Sequence, residues 1–278
     1  MNPLLSVSSL GDRGGQGLLE VEIVFGQSTV TSVYSTSPMK ILTPVSRGKS
    51  VHACTTSFGG GLVAGDQTRL CLSIGAGAGC YLGTQSSTKI YCNPAQLQCS
   101  HVTTAHLGAG ALLVFAPDPV QPYAGSRFTQ RQEFRLEAGA GLVLLDWFTS
   151  GRAARGERWI FDRFESRNDV YVDGESVFVD SILLGTPEDR GHMGRFNCVA
   201  MLALMGSGMK GAVDGLLAGM AGRPVNRRGA LVSSVSPCRG GALLRVAGQS
   251  VELVRQELLP HLAFVAELLG DDPWARKW

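Results

Sequence analysis

Charged residues are scarce in this sequence. They make up only 17% of the 278 residues, and the net charge is +2 with no block of lysine or arginine. Soluble proteins average about 25% charged residues, so this surface is short of charge, as expected for a surface that meets a partner. Because binding to nucleic acid needs a basic patch along the phosphate backbone, the composition argues against a nucleic-acid ligand.

Long apolar runs are absent as well. The longest apolar run of helical character, from Cys198 to Met209, is much shorter than the roughly 18 residues of a membrane-spanning helix. Residues 1–12 contain neither a basic segment nor a sustained apolar segment, so we expect no secretion signal. We therefore predict a cytoplasmic protein with no membrane partner.

Paired cysteine spacings are also missing. The seven cysteines form no CxxC motif, which favours reduced, mostly buried thiols over a disulfide framework. Cys92, Cys99 and His101 could form a soft metal cluster, but zinc sites usually show paired spacings and this group does not.

Catalytic motifs are not found. The stretch from Thr43 to Ser50 ends like a Walker A loop, but Thr43 stands where that loop needs its first glycine. The glycines at 59–61 precede a strand pattern instead of a helix, which argues against a phosphate-binding loop. The sequence has no GxSxG or HExxH motif, and its five histidines lie in no catalytic grouping. We predict that the protein is not an enzyme; a hydrolase is the alternative, and it predicts turnover by the isolated protein.

Glycine is abundant, with 36 residues, and part of it is periodic. Similar segments begin at Ile74 (IGAGAGCYL), Leu107 (LGAGALLVF) and Leu136 (LEAGAGLVL), with offsets of 107 − 74 = 33 and 136 − 107 = 29 residues. Self-similarity at such a period indicates stacked supersecondary units. Together with alternating apolar and polar residues, it predicts many short strands in layers over residues 18–184.

The pattern becomes helical in residues 192–278. The stretch from Gly194 to Met220 predicts one or two helices, and apolar residues from Val251 to Leu269 recur at helical spacing after Ser250, a plausible N-cap. Pro260 should bend or divide that last helix. A hairpin is expected between them at 236–248. We predict one mainly β domain, residues 1–278, with C-terminal helices.

Three polar clusters interrupt the apolar strand pattern. Thr84–Tyr91 (TQSSTKIY) is polar on both faces of a predicted strand, which suggests a wet interior or an interface. Asp118 lies rigidly between two prolines. The densest cluster, from Asp146 to Trp159, contains two carboxylates and three arginines; an internal salt-bridge network around a turn at Gly151 would explain it equally well.

The chain resembles a known family through four ordered motifs: GGGLVAGD, TQSSTKIY, PDPV and DWFTSGRAARGERW. In this order they are similar to the UreD (UreH) family of urease accessory proteins, from about Glu20 to the C-terminal helix. The form of the motifs is most similar to that of plant and algal members. The resemblance implies a layered, β-helix-like stack of strands with C-terminal helices.

The resemblance also implies a function. Family members are chaperones that bind the urease apoprotein and, with UreF and the GTPase UreG, help to insert nickel. We therefore expect these partners, no tightly bound cofactor, and nickel held only transiently on its way through an internal passage. A homodimer of the accessory complex is possible. The alternative is a scaffold that holds urease in a form competent for activation without touching metal.

Several residues match motif positions that the resemblance assigns to the passage. The carboxylates of Asp66, Asp146 and Glu157 are expected to line it, because a metal in transit needs weak oxygen ligands. Lys89 and Arg152 are expected to be their charge partners. The remaining polar positions, which face the passage or a partner, are Thr84, Gln85, Ser86, Tyr91 and Asp118.

Each of these assignments has a structural alternative. Arg152 could pair with Asp146 and simply hold the turn. The glycines at 59–61 are expected to let a turn pass close to neighbouring backbone and to bring Asp66 into the polar interior. The Gly-rich segment 206–222 could dock on UreF or form a core helix.

Overall fold

The computed structural model describes residues 14–275, and the segment examined above for a secretion signal lies outside this range. About half of the described residues form strands, which lie in two sheets that face each other. The first strands are β1 (Gly15–Val24), β2 (Gln27–Ser35), β3 (Met39–Leu42), β4 (Val51–Ser57), β5 (Gly61–Leu62), β6 (Gln67–Ile74), β7 (Gly79–Thr84), β8 (Thr88–Ile90) and β9 (Cys99–Leu107). The others are β10 (Leu112–Phe115), β11 (Val120–Pro122), β12 (Arg127–Leu136), β13 (Gly141–Thr149), β14 (Arg163–Val172), β15 (Glu175–Leu184), β16 (Cys198–Met205), β17 (Leu231–Cys238) and β18 (Gly241–Gly248).

The chain winds as a solenoid between the two sheets. The seven-stranded sheet has the order β15-β14-β12-β9-β6-β1-β2, and its strands from β1 to β14 are parallel neighbours. Strands β4, β7, β10 and β13 form a parallel ladder in the eleven-stranded sheet. The short strands β5, β8 and β11 form a third side. The predicted layered, β-helix-like stack with C-terminal helices is confirmed.

The predicted repeat corresponds to stacked turns between the sheets. Gly77, Gly110 and Gly139 occupy the same place in successive coils with φ of 69°, 67° and 75°, a left-handed conformation that favours glycine. The amide of Gly77 donates to the carbonyl of Ala109 at 2.9 Å, and that of Gly110 to the carbonyl of Ala138 at 2.9 Å. Each turn is therefore hydrogen-bonded to the next one.

The seven-stranded sheet ends on both sides in an antiparallel hairpin. Strand β2 turns back along β1, and β15 turns back along β14. Each hairpin contains an irregularity in its register, at Glu20/Val21 and at Val170/Tyr171. The parallel ladder is thus closed off at both edges by a different kind of pairing.

The helices are α1 (Pro187–Met193), α2 (Lys210–Met220), α3 (Val251–Leu262) and α4 (Val265–Leu269). Both α2 and α3 pack on β16 and β18, over an apolar cluster on the outer face of the eleven-stranded sheet. Ser250 caps α3 by accepting a hydrogen bond from the amide of Leu253 at 3.2 Å, and Pro260 lies in the last turn before α4 begins. The predicted cap and the division of this helix are confirmed. In residues 14–275, no helix combines the length and apolar character needed to cross a membrane.

One predicted helix is wrong over half of its length. Residues Cys198–Met205 form strand β16, which pairs with β13 and β18, and only Lys210–Met220 is α-helical. The strand is covered on one face by the core between the sheets and on the other by helices. A strand buried on both faces is apolar throughout, so its periodicity cannot be told from that of a buried helix.

Of two further predicted elements, the single strand at Thr84–Tyr91 is wrong and the hairpin at 236–248 is confirmed. Thr84–Tyr91 is not one strand: β7 ends at Thr84, the chain bends over residues 85–87, and β8 begins at Thr88. Its polar character on both faces reflects a corner of the solenoid. The predicted hairpin is confirmed as β17 and β18, which extend the eleven-stranded sheet.

Two glycine substitutions should change stability in opposite directions. Gly206 has φ of 89°, and a Cβ atom there would overlap the carbonyl oxygen of Ala140. We expect Gly206→Ala to lower the free energy of unfolding by at least about 1–3 kcal/mol, the usual range for local backbone strain. The matched change Gly215→Ala lies in α2 with open space around it and should raise stability by about 0.5–1 kcal/mol. Urea unfolding of both variants measures this; a stable Gly206→Ala protein would contradict the assigned backbone conformation.

Candidate functional site

A cavity lined by both polar and apolar side chains lies between the two sheets. Its volume is about 90 Å³, enough for several water molecules, since about 10–15 Å³ holds one. Gly60 and Ser86 are exposed and also line the cavity, so it reaches the surface between the turn at Phe58–Gly60 and the bend at 85–87. Asp146 and the polar side chains of the seven-stranded sheet lie deeper inside.

The parallel register places polar side chains in rows on the inner face of the seven-stranded sheet. The first row consists of Thr68, His101, Gln130 and Ser166 on β6, β9, β12 and β14. The second row, two residues further along, consists of Thr103, Gln132 and Asn168. Most of these side chains are buried, and they face β13 of the opposite sheet, which carries Asp146.

Asp146 is held by three neutral donors from the facing sheet. Gln130 Nε2 donates to Oδ1 at 3.1 Å, Ser166 Oγ donates to Oδ2 at 2.7 Å, and Asn168 Nδ2 donates to Oδ2 at 2.8 Å. Asp146 is partly exposed, because its side chain borders the cavity. The arrangement satisfies its hydrogen-bonding capacity without a basic residue.

The electrostatic environment of Asp146 is unusual for a buried carboxylate. Burial raises its pKa above the ordinary value of 3.8, and the hydrogen bonds from Asn168, Ser166 and Gln130 oppose this shift. The charged group that acts on it is Asp180, another carboxylate, which pairs with Arg245 at 2.5 Å and raises the pKa further. The described residues that line the cavity include no lysine or arginine. When Asp146 is ionised, its negative charge therefore has no lysine or arginine among the described lining residues to balance it.

His101 contributes a neutral imidazole to the same cavity. Its Nδ1 lies 2.8 Å from Thr68 Oγ1, and its Nε2 lies 3.0 Å from Thr103 Oγ1. Because Thr68 donates its hydroxyl hydrogen to the carbonyl of Ser100, the network assigns the ring proton to Nδ1. Burial lowers the pKa of His101 to about 4, so the ring carries no charge near neutrality.

A second carboxylate lies nearer the mouth of the cavity. Asp118 is buried, and Thr84 Oγ1 donates to its Oδ2 at 3.0 Å while accepting from its amide at 2.7 Å. Ser86 lies beside them at the surface. Four of the residues predicted for the passage therefore line one cavity: Thr84, Ser86, Asp118 and Asp146.

Three other predicted residues belong to a separate surface group. Arg152 pairs with Glu157 through two hydrogen bonds of 2.8 and 2.5 Å, and its guanidinium lies 4.3 Å from the ring centre of Tyr123. Tyr91 contacts Tyr123 edge to face and donates to the carbonyl of Gly59. Hydrogen bonding from Arg152 lowers the pKa of Glu157. Arg152 and Tyr123 border an open cleft of about 530 Å³, which does not include Asp146.

The last three predicted residues are placed outside the cavity. Asp66 is partly exposed and closes its own turn, since its Oδ2 accepts from the amide of Val63 at 2.8 Å. The predicted close approach of the glycine turn is found at Gly61, which pairs with Lys89 across β5 and β8, but the turn does not bring Asp66 into the interior. Gln85 is exposed at the bend. The structure therefore does not bring the three predicted carboxylates Asp66, Asp146 and Glu157 together.

The interior rows were missed by the sequence analysis, although a signal exists. In β12, Gln130 and Gln132 lie between Phe128 and Phe134 on the buried face of the strand, which is otherwise apolar. Polar residues at core positions of a period-two pattern indicate a buried polar site. Across residues 14–275, no group of three or more His, Cys, Asp or Glu side chains is arranged to hold a metal ion.

The fold and the cavity together define a β-solenoid protein whose interior contains two carboxylates and no lysine or arginine among the described lining residues. A model of the family described as UreD urease accessory protein matches residues 14–278. The chain belongs to the UreD family of urease accessory proteins.

Individual relatives agree with this family. The chain is 44% identical over 272 residues to the urease accessory protein UreD of Sorangium cellulosum (strain So ce56), a match that covers 96% of this chain and 85% of that protein. It is 40% identical over 270 residues to UreD of Anaeromyxobacter sp. (strain Fw109-5), covering 96% and 91%. It is 32% identical over 291 residues to the urease accessory protein D of Arabidopsis thaliana, covering 93% and 99%. The two bacterial proteins are thus more similar to this chain than the plant protein is.

The raised pKa of Asp146 predicts a pH effect on stability. A folded-state pKa above the unfolded value means that the ionised group destabilises the fold at neutral pH and that protonation relieves this penalty. We expect the free energy of unfolding of the wild type to rise relative to Asp146→Asn as the pH falls through the raised pKa. The gain is complete below the unfolded-state value near 3.8.

Urea unfolding at a series of pH values, with wild type and variant side by side, checks this expectation. Asp169→Asn is the matched control, because Asp169 lies on the same strand as Asn168 and pairs with Arg167. A difference between wild type and Asp146→Asn that stays constant or reverses sign with pH would contradict the assignment.

Proposed function

We propose that this protein is a metallochaperone that passes nickel through its interior cavity during urease maturation, in a complex with the urease apoprotein, UreF and UreG. Membership of the UreD family of urease accessory proteins supports the role in urease maturation. The term accessory protein agrees with a role that is not catalytic. The passage of nickel through the cavity rests on the chemistry of its lining.

The position of the Asp146 carboxylate in a cavity whose described lining includes no lysine or arginine is the observation that carries this proposal. A buried carboxylate usually has a cationic partner, because an isolated ion is poorly solvated inside a protein. Asp146 has three neutral donors instead. Its negative potential inside a low-dielectric cavity remains available to attract a cation that enters from the mouth.

The remaining lining agrees with transit and not with storage. Oxygen groups and a single imidazole bind a first-row divalent ion more weakly than a thiolate cage does. The described residues form no ready-made cluster of three metal ligands. A nickel ion attracted by Asp146 and Asp118 would thus keep part of its water shell and be free to leave.

The surface group of Arg152, Glu157 and Tyr91 is better suited to binding a partner protein than to passing nickel. Glu157 is neutralised by Arg152, so it offers little attraction to a cation. The aromatic and charged residues around it form a patch beside an open cleft, which suits contact with a partner protein. We therefore assign Asp146 to the passage and Arg152 and Glu157 to docking.

A complementation experiment separates these roles. Cells lacking their own UreD receive matching urease, UreF, UreG and nickel together with this protein or a variant. We expect Asp146→Asn to restore urease activity at least about tenfold less well, which corresponds to about 1.4 kcal/mol, while still co-purifying with urease. Asp169→Asn should match the wild type, because its carboxylate is paired with Arg167 and lies outside the cavity lining.

The other outcomes have distinct meanings. Full activity with Asp146→Asn would contradict the nickel passage and leave the scaffold function. Glu157→Ala should reduce the amount of urease recovered in the pull-down. The urease activity measured for each complex that does form should stay at the wild-type level. If Glu157→Ala lost urease activation but still bound urease, Glu157 would be assigned to the nickel passage instead of to docking.

A further inference from the structure

We infer that Gln130, Ser166 and Asn168 are positioning residues that keep the affinity of Asp146 for nickel low, so that the ion is released. The inference rests on the proposed function and assigns to these residues the control of how long nickel stays at Asp146. It follows from how the carboxylate oxygens are occupied.

The donors occupy most of the sites at which Asp146 could bind a cation. An ionised carboxylate offers about four lone-pair positions. One is occupied by Gln130, and two, both on Oδ2, are occupied by Ser166 and Asn168. Each donor also points its positive end at the carboxylate, so an approaching cation has to displace a donor or share the remaining position.

The orientation of the donors is itself held in place. Gln132 Nε2 donates to Asn168 Oδ1 at 2.7 Å, which turns the amide of Asn168 so that its Nδ2 faces Asp146. Gln130 Nε2 also donates to Ser166 Oγ at 3.1 Å, which directs the Ser166 hydroxyl hydrogen to the carboxylate. The side chains of Gln130, Gln132, Ser166 and Asn168 are all buried. The donors are therefore fixed before any ion arrives.

Neutral donors meet two requirements that a basic residue would not. A lysine or arginine would satisfy Asp146 but would cancel its charge and repel a cation. A bare carboxylate would attract a cation but hold it more tightly, because its lone pairs would be free. Binding in a passage has to be favourable enough for entry and weak enough for release, and a carboxylate with most of its lone-pair positions occupied by neutral donors provides both.

Removal of one donor should therefore tighten binding. We expect Ser166→Ala to bind nickel with a roughly tenfold lower Kd and to release it correspondingly more slowly to a chelator, the order expected when one charge-assisted hydrogen bond no longer competes. Isothermal titration with nickel alone and stopped-flow release, on the alkaline side of neutrality to limit proton competition, measure the two quantities. In the complementation assay, tighter binding should reduce activation.

Three further variants test the cause. Ser126→Ala is the matched control, because Ser126 is also fully buried but its hydroxyl has no hydrogen-bond partner; its Kd should equal that of the wild type. Ser166→Thr keeps the donor and should restore the wild-type Kd. In the double variant Asp146→Asn with Ser166→Ala, the tightening should disappear, because it acts through Asp146.

An unchanged or higher Kd in Ser166→Ala would overturn the inference and would assign the donors a purely structural role. If Ser166→Ala does not fold, Gln130→Met removes the donor at the other oxygen with little change in side-chain length, and the same outcomes apply. A failure of the proposed function gives a different result: neither the wild type nor Ser166→Ala would then show nickel binding that depends on Asp146.

Discussion

The fixed register between neighbouring parallel strands is the constraint on which the interior of this protein depends. Residues as far apart in the chain as Thr68 and Ser166 lie in one row because every coil places the same position on the same face. A shift of one strand by a single residue would turn its polar side chain outwards and an outer side chain inwards. The stacked glycine turns at one end of the strands hold this register. The polar cavity is therefore a property of the coil length as much as of the polar residues themselves.

Two carboxylates of this protein, Glu157 and Asp146, are held by different kinds of hydrogen-bond donor. Glu157 is bound by the guanidinium of Arg152, and the pair is nearly neutral as seen from outside. Asp146 is bound only by neutral donors, so its hydrogen bonds are made without a basic residue that would balance its charge. Hydrogen bonding and charge neutralisation are thus separated in this fold. Under the proposed function, this difference assigns the interaction with a mobile cation to the interior carboxylate and not to the surface one.

The repeat, the Ser250 cap and the hairpin at the C-terminal end could be predicted because each depends on local spacing and turn chemistry. The strand Cys198–Met205 could not, since burial on both faces removes the period by which a strand is recognised. Asp146 was found through its motif, but its partners were not, because they belong to other coils and only the register brings them together. Asp66 was misplaced for a related reason: proximity of a carboxylate to a glycine turn says nothing about the side of the turn on which it lies.

The hairpins at the two edges of the seven-stranded sheet limit its growth. A parallel solenoid exposes, at each open end, a strand that is a template for one more coil, including a coil from another molecule. Here the chain pairs its own strands with both ends of the ladder, β2 with β1 and β15 with β14. The irregular register in each hairpin makes the outer strands β2 and β15 poor partners for a further regular strand. The number of coils is thereby set within one polypeptide, and end-to-end assembly into fibres is disfavoured at high local concentration.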